Sequence, residues 1–208
     1  NVKRERKILR EKMNISEDSK VIIYLGQGTP VNIENDKKTF MFLCKALELI
    51  REEIYLIIRS HPRAEDVSYY SNVPQNIKLI HSLEFNLSDE ILPLADCIVS
   101  MFATNLVQSA ILGLPVISIL LPDAGKLQLS KVNLDDFPLN KTGATIGIYN
   151  YDADKLSNLI KDIILRNMPV KLEKIRIHDK DRIEAYKELM VFTKNLQNST
   201  FPAAEHKE

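Results

Sequence analysis

The sequence has no excess of either charge: 28 Lys and Arg balance 28 Asp and Glu. Without a basic field to gather phosphodiesters, no nucleic-acid partner is expected. Cysteine is scarce. Cys44 and Cys97 sit in apolar runs, lack metal-ligand spacing, and read as buried free thiols rather than a disulfide, which suits a reducing compartment. No apolar run reaches the ~18 residues that a membrane-spanning helix needs. The longest candidate, AILGLPVISILLP, is broken by Gly113 and Pro115. The opening NVKRERKILREKM has charges but no apolar core after them, so it is not a signal peptide. Chemical signatures are missing too. There is no Ser–His–Asp order on a nucleophile elbow, and no Asp-x-Asp or His-rich cluster, so no metal is expected. Asp123, Asp135 and Asp136 lie in one stretch, but not at a spacing that makes an acid/base pair.

What is present is an ordinary globular composition, 45% hydrophobic and 27% charged, arranged as a recurring unit. VIIYLG (21–26), IYLIIRS (54–60), IKLIHS (77–82), DCIVSM (96–101), PVISIL (115–120) and ATIGIY (144–149) are apolar, largely β-branched runs of buried-strand type. Helical spacing separates them. Residues 37–52 carry Phe40, Leu43, Cys44, Leu47 and Ile50 on one face, and 103–112 end at Gly113. SDEILPLA (88–95) is a short helix distorted by Pro93, and the polar stretch before Asn76 has room for another. Asp152 is a suitable N-cap for a helix over 153–166. The stretch 121–143 is expected to be a long loop, with function or mobility to justify its length. A last helix is expected over 181–197. Three segments follow: a linker or leading helix over 1–19, an α/β domain over 20–197, and a flexible tail over 198–208. A first residue of Asn rather than Met makes the chain a fragment on this reading.

Alternating buried strands and helices predict a doubly wound, Rossmann-like parallel sheet of six strands in the order 3-2-1-4-5-6. Ligands in such sheets bind beyond the carboxyl ends of the strands where the order reverses, here between the first and fourth. Three motifs reach that crevice. The turn GQGTP (26–30) contains Gly28 and Thr29, and its glycines permit close backbone approach, though it is neither G-x-G-x-x-G nor a P-loop. SMFATN (100–105) carries Ser100, Ala103, Thr104 and Asn105 into a helix start, where unpaired amides and the helix dipole favour an anion. Gln108 lies four residues after Thr104 on the same face, suited to a hydroxylated group. RSHPR (59–63) adds Arg59 and Arg63 as forked phosphate donors, with His61 as donor or acid/base candidate. Ser82 opens HSLEFNLSDEI, whose backbone could hold a base edge, with Ser88 as a helix cap. Each motif also has a plain structural reading: a cap, a tight turn, solvated arginines or a simple connection.

The stretch ADCIVSMFATNLVQSAILGLPVIS (95–118) resembles the nucleotide-binding half of GT-B glycosyltransferases and the related UDP-N-acetylglucosamine 2-epimerases. Asp96, Ser100, Ala110, Gly113, Pro115, Val116 and Ile117 match that pattern. RSHPR resembles the His-Pro turn of surface-polysaccharide members such as Kdo- and CDP-glycerol-transferase-like proteins, and VIIYLGQG their glycine-bearing first strand. The resemblance spans about residues 20–197, with 95–118 its most specific part.

It implies a nucleotide-sugar donor, UDP- or CMP/CDP-linked, and no separate cofactor. The diphosphate would meet Ala103, Thr104 and Asn105 with Gly28 opposite, the ribose would lie near Gln108, and the base near the loop after Ser82. Two departures are visible. The family has glutamate at the ribose position, where this chain has Gln108, and many retaining members have another at the position of Ser100. The implied partner is an N-terminal acceptor-binding domain or separate subunit that supplies the catalytic base. The implied setting is the cytoplasm or the inner face of the membrane, reached through that half. Two alternatives stand beside this reading: a sugar-nucleotide epimerase half, and a non-catalytic α/β module with a degenerate crevice.

Overall fold

Six apolar runs rich in β-branched residues pair as parallel strands, with the inner four largely buried on both faces. The structure is a computed structural model that describes residues 2–28, 32–64, 66–85 and 89–166. The strands are β1 (Lys20–Leu25), β2 (Ile54–Arg59), β3 (Ile77–His81), β4 (Cys97–Ser100), β5 (Val116–Ile119) and β6 (Ile146–Ile148). Their order is β3-β2-β1-β4-β5-β6, as the sequence predicts. The helices are α1 (Val2–Lys12), α2 (Ile33–Glu48), α3 (Asn105–Ile111), α4 (Gly125–Lys131), α5 (Pro138–Lys141) and α6 (Ala153–Ile164). Short 3₁₀ turns occupy Ser68–Ser71, Ser82–Phe85 and Asp89–Leu94, the last with Pro93 inside it.

The core runs along the central strands. Val21 to Leu25 of β1 and Cys97 to Ser100 of β4 are buried, and Cys44 and Cys97 are buried free thiols as expected. Burial alone pushes the Cys44 thiol up to about 12, so it stays protonated and inert. α2 packs against α6, and Asp152 caps α6 by accepting from the Lys155 N–H at 2.9 Å.

Two elements differ from expectation. The helix expected over 37–52 runs four residues earlier, Ile33–Glu48. Its end is decided from a distance: the Asn76 side-chain amide donates to the carbonyls of Leu47 (3.2 Å) and Ile50 (2.8 Å), so the chain turns there into β2. The stretch 121–143 is not one long loop. It folds as α4 and α5, the latter started by Pro138, and is tied to β5 through Asn140, whose Oδ1 accepts from Ser118 Oγ at 2.8 Å and from Thr145. The leading stretch, expected as a linker or a helix, contains the helix α1, which is fastened to the sheet. Arg10, 2% exposed, donates to the carbonyls of Ser16, Glu17 and Ser19 and to Asp96. Asp96 also accepts from Arg6 and, at 2.8 Å, from the Val21 N–H. The helix expected over 181–197, the tail, Ser88 and Thr29 lie outside the described residues.

Candidate functional site

Strand register builds the crevice floor. At the carboxyl end of the sheet, Arg59 of β2 is level with Leu25 of β1, Leu25 with Ser100 of β4, and Ser100 with Ser118 of β5. The chain leaves this row as 26–28 from β1, 60–64 from β2 and 101–105 from β4. Parallel pairing thus brings together motifs more than 30 residues apart in sequence.

Within the glycine turn, the inward face is occupied by protein. The Gly26 N–H donates to the Arg59 carbonyl at 2.9 Å. The Gln27 N–H donates to Asp36 Oδ1 at 2.9 Å. A Cβ on Gly26 would collide with the Tyr70 hydroxyl, and one on Gly28 would lie 2.6 Å from the Tyr69 hydroxyl. Both glycines are therefore required by neighbouring tyrosines, whatever else approaches from outside.

The residue beneath this turn, Asp36, carries no motif and went unnoticed in the sequence. It sits in the first turn of α2 with no solvent exposure. Its Oδ1 accepts from Tyr24 (2.8 Å) and Gln27 N–H, and its Oδ2 from Tyr69 (2.6 Å) and Tyr70. The rings pack edge-on around Phe40. Burial pushes the Asp36 carboxyl above its ordinary range, against the opposing pull of these donors. Burial and the Asp36 charge likewise push the Tyr24, Tyr69 and Tyr70 hydroxyls up, so all three stay protonated donors. The available signal was three tyrosines and an aspartate spread over residues 24–70, a spacing no local rule connects.

On the β2 side, Arg59 and His61 are half-buried and Arg63 is exposed. The His61 Nδ1 accepts from the Arg63 N–H at 3.1 Å, so the neutral ring carries its proton on Nε2 and presents a donor there. Burial, then the charges of Arg59 and Arg63, lower the His61 pKa, while Asp36 raises it. His61 is thus a neutral donor near neutral pH, flanked by two guanidinium groups. This group can bind an anion, and it resists protonation more than a free histidine.

On the β4 side, Ser100 is fully buried and donates to the Leu25 carbonyl at 2.8 Å, bracing β4 to β1 below the crevice. Ala103 and Asn105 are half-buried and Thr104 is exposed. α3 opens with tight bonds, Leu106 N–H to the Ala103 carbonyl and Val107 N–H to the Thr104 carbonyl, both 3.0 Å. Gln108 is exposed on α3. It lines a cleft of about 380 Å³ with Glu5, Ile8 and Leu9 of α1, Glu90 and Pro93 of the 89–94 turn, and Leu112. Ser82 is buried at the end of β3. The structure thus gathers Gly28, Arg59, His61, Arg63 and the 103–105 segment around one row, and sets Gln108 against α1. Among the described residues no His, Cys, Asp and Glu group could hold a metal ion.

No protein-family model and no curated protein matches the chain. Solved structures do. The wall teichoic acid polymerase TagF matches with a TM-score of 0.51 at 16% identity, over 97% of this chain and 50% of that one. A variant of the same polymerase gives 0.52 at 15%, over 96% and 49%. A putative UDP-N-acetylglucosamine 2-epimerase from Listeria monocytogenes gives 0.51 at 15%, over 97% and 49%. At such identities the likeness is one of fold: a Rossmann-like α/β unit corresponding to half of a GT-B structure. The chain spans about half the length of the structures it matches.

Proposed function

We propose that this chain is the donor nucleotide-sugar-binding half of a GT-B glycosyltransferase of surface-polysaccharide type, completed by an acceptor-binding half that supplies the catalytic base. The observation that carries this reading is the Arg59–His61–Arg63 rim beside the glycine turn, at the point where strand order reverses. The half-length fold likeness to a wall teichoic acid polymerase supports it. In this role the two guanidinium groups and the His61 Nε2–H hold the donor diphosphate and offset the charge that grows on it as the glycosyl bond breaks. The 103–105 segment faces Gly28 across the same space. Ser100 acts from below, by holding β4 against β1.

Gln108 stands at the position where the resemblance implies the ribose, and it also lines a cleft with α1. An amide accepts at one end and donates at the other, whereas a carboxylate accepts from two hydroxyls. The cleft that Gln108 shares with Glu5 and Glu90 offers carboxylates from α1 and the 89–94 turn beside it. A ribose near Gln108 would find its acceptors there rather than on α3.

Calorimetric titration of the chain with CDP, UDP and CMP tests the reading. One of the diphosphates should bind more tightly than CMP. Arg59→Ala and Arg63→Ala should each weaken that nucleotide about tenfold, since a hydrogen bond to a charged group contributes about 1.5–3 kcal/mol. Absence of binding by all three nucleotides would overturn it and favour a degenerate module, a reading supported by the inward-facing Gln27 amide and Ser100 hydroxyl. A second enzymatic reading, half of a sugar-nucleotide epimerase, draws support from the equally close fold likeness to the Listeria protein. Incubating the complete two-half protein with UDP-N-acetylglucosamine distinguishes the two, since an epimerase inverts the sugar without an acceptor.

A further inference from the structure

A buried carboxylate without a cationic partner is costly, and a chain keeps one at a loss of stability unless its neighbours answer every lone pair. Among the described residues Asp36 is such a group. Its partners are three phenol hydroxyls and one backbone amide, drawn from β1, the glycine turn and the 68–71 turn. An apolar residue of similar size would fill the same space without the desolvation penalty. What it would lose is the fixed position of the Gln27 amide and of the Tyr69 and Tyr70 rings, and these two rings are what Gly28 and Gly26 rest against. The negative charge also reaches His61, where it opposes the effect of Arg59 and Arg63.

We propose that Asp36 is a positioning residue for the crevice: its carboxylate locks the Gly26–Gly28 turn and the Ser68–Ser71 turn into one preformed wall facing Arg59, His61 and Arg63. Nothing in this wall has to be ordered when a ligand arrives, so affinity is not lost to loop ordering. The nucleotide part of the claim rests on the donor-site reading above. The electrostatic part does not, because it concerns His61 in the free protein. The groups that face the Asp36 carboxylate are Tyr24, Tyr69, Tyr70 and the Gln27 amide. Among the described residues, the charged groups that act on His61 are Arg59, Arg63 and Asp36.

The test uses the full 208-residue chain, with Asp36→Asn and Tyr69→Phe. The His61 ring is followed by NMR through a pH titration without ligand, and CDP and UDP binding by calorimetry. Asp36→Asn removes the charge at nearly constant volume. It should move the His61 midpoint to lower pH and weaken the bound nucleotide about tenfold through lost preorganisation. Tyr69→Phe keeps the charge, so it should leave the His61 midpoint in place and weaken the nucleotide about threefold. It also keeps the proposal testable should the Asn variant fail to fold. An unchanged His61 midpoint together with wild-type affinity in Asp36→Asn would overturn the proposal, as would wild-type affinity in Tyr69→Phe when the Asn variant is unfolded. If the wild-type chain binds neither nucleotide, the donor reading falls. Hydrogen exchange of the Gln27 amide, which donates to Asp36, then decides the positioning role alone in Asp36→Ser: faster exchange supports it and unchanged exchange ends it.

Discussion

Asp96 and Asp36 are both acidic, both bound to several donors, and opposite in consequence. Asp96 precedes β4, at the end of the sheet away from the crevice, and answers Arg6 and the buried Arg10. Burial, then proximity to Arg6, lowers the Arg10 pKa, and Asp96 opposes both effects. Asp96→Ala therefore strands a guanidinium that is 2% exposed. Unfolding in urea should show a loss of about 3 kcal/mol, the low end for breaking a buried pair because Asp96 itself keeps some exposure. Asp36 has no cationic partner among the described residues, and its carboxyl is raised above 3.8 by burial. Its contribution to stability is present in full below the unfolded-chain value and is lost as pH rises through the folded one. The stability of the wild type relative to Asp36→Asn should accordingly fall as pH rises above the ordinary carboxyl value of 3.8, read from urea midpoints at each pH. A flat difference would mean that the folded carboxyl is not raised.

At the level of elements, the boundaries depend on contacts that no local pattern carries. α2 contains the apolar face expected of it, Phe40, Leu43, Cys44 and Leu47. Its limits moved because Asp36 is needed inside the first turn and Asn76 closes the other end. Asn76→Ala should cost about 1 kcal/mol, with α2 amides near residue 47 exchanging faster by hydrogen exchange. The stretch 121–143 shows the same effect. Its short helices have too little regular periodicity to be read in advance, and they are held by Asn140, Ser118 and Thr145 together with a Tyr149–Asp136 bond of 2.7 Å. α1 reads as a charged leading helix because eight of its eleven residues are Lys, Arg or Glu. Two of those arginines are what anchor it.

For the molecule as a whole, the balanced charge and the absence, among the described residues, of a helix able to cross a membrane agree with the composition. The nucleotide titrations belong at this scale, since the rim needs β1, β2 and β4 in register. Binding carried by Arg59 and Arg63 should also weaken with added salt, moderately, because His61 stays neutral and the rim is partly buried. The cleft lined by Gln108, Glu5 and Glu90 ties the leading helix to the same half of the molecule.

By itself the sequence determined the strands and their order. Burial on both faces leaves a local record in runs of β-branched residues, and chain crossing rules leave few ways to arrange them. It also brought Arg59, His61 and Arg63 to notice, because a strand end followed by a turn is a local feature. Only the tertiary structure decided which way each polar group faces. That Gln27 turns its amide inward, that Ser100 braces a strand, and that Gln108 looks toward α1 all depend on residues far apart in the chain. Hydrogen bonding and the burial of charge are set by neighbours in space, and sequence spacing does not encode them.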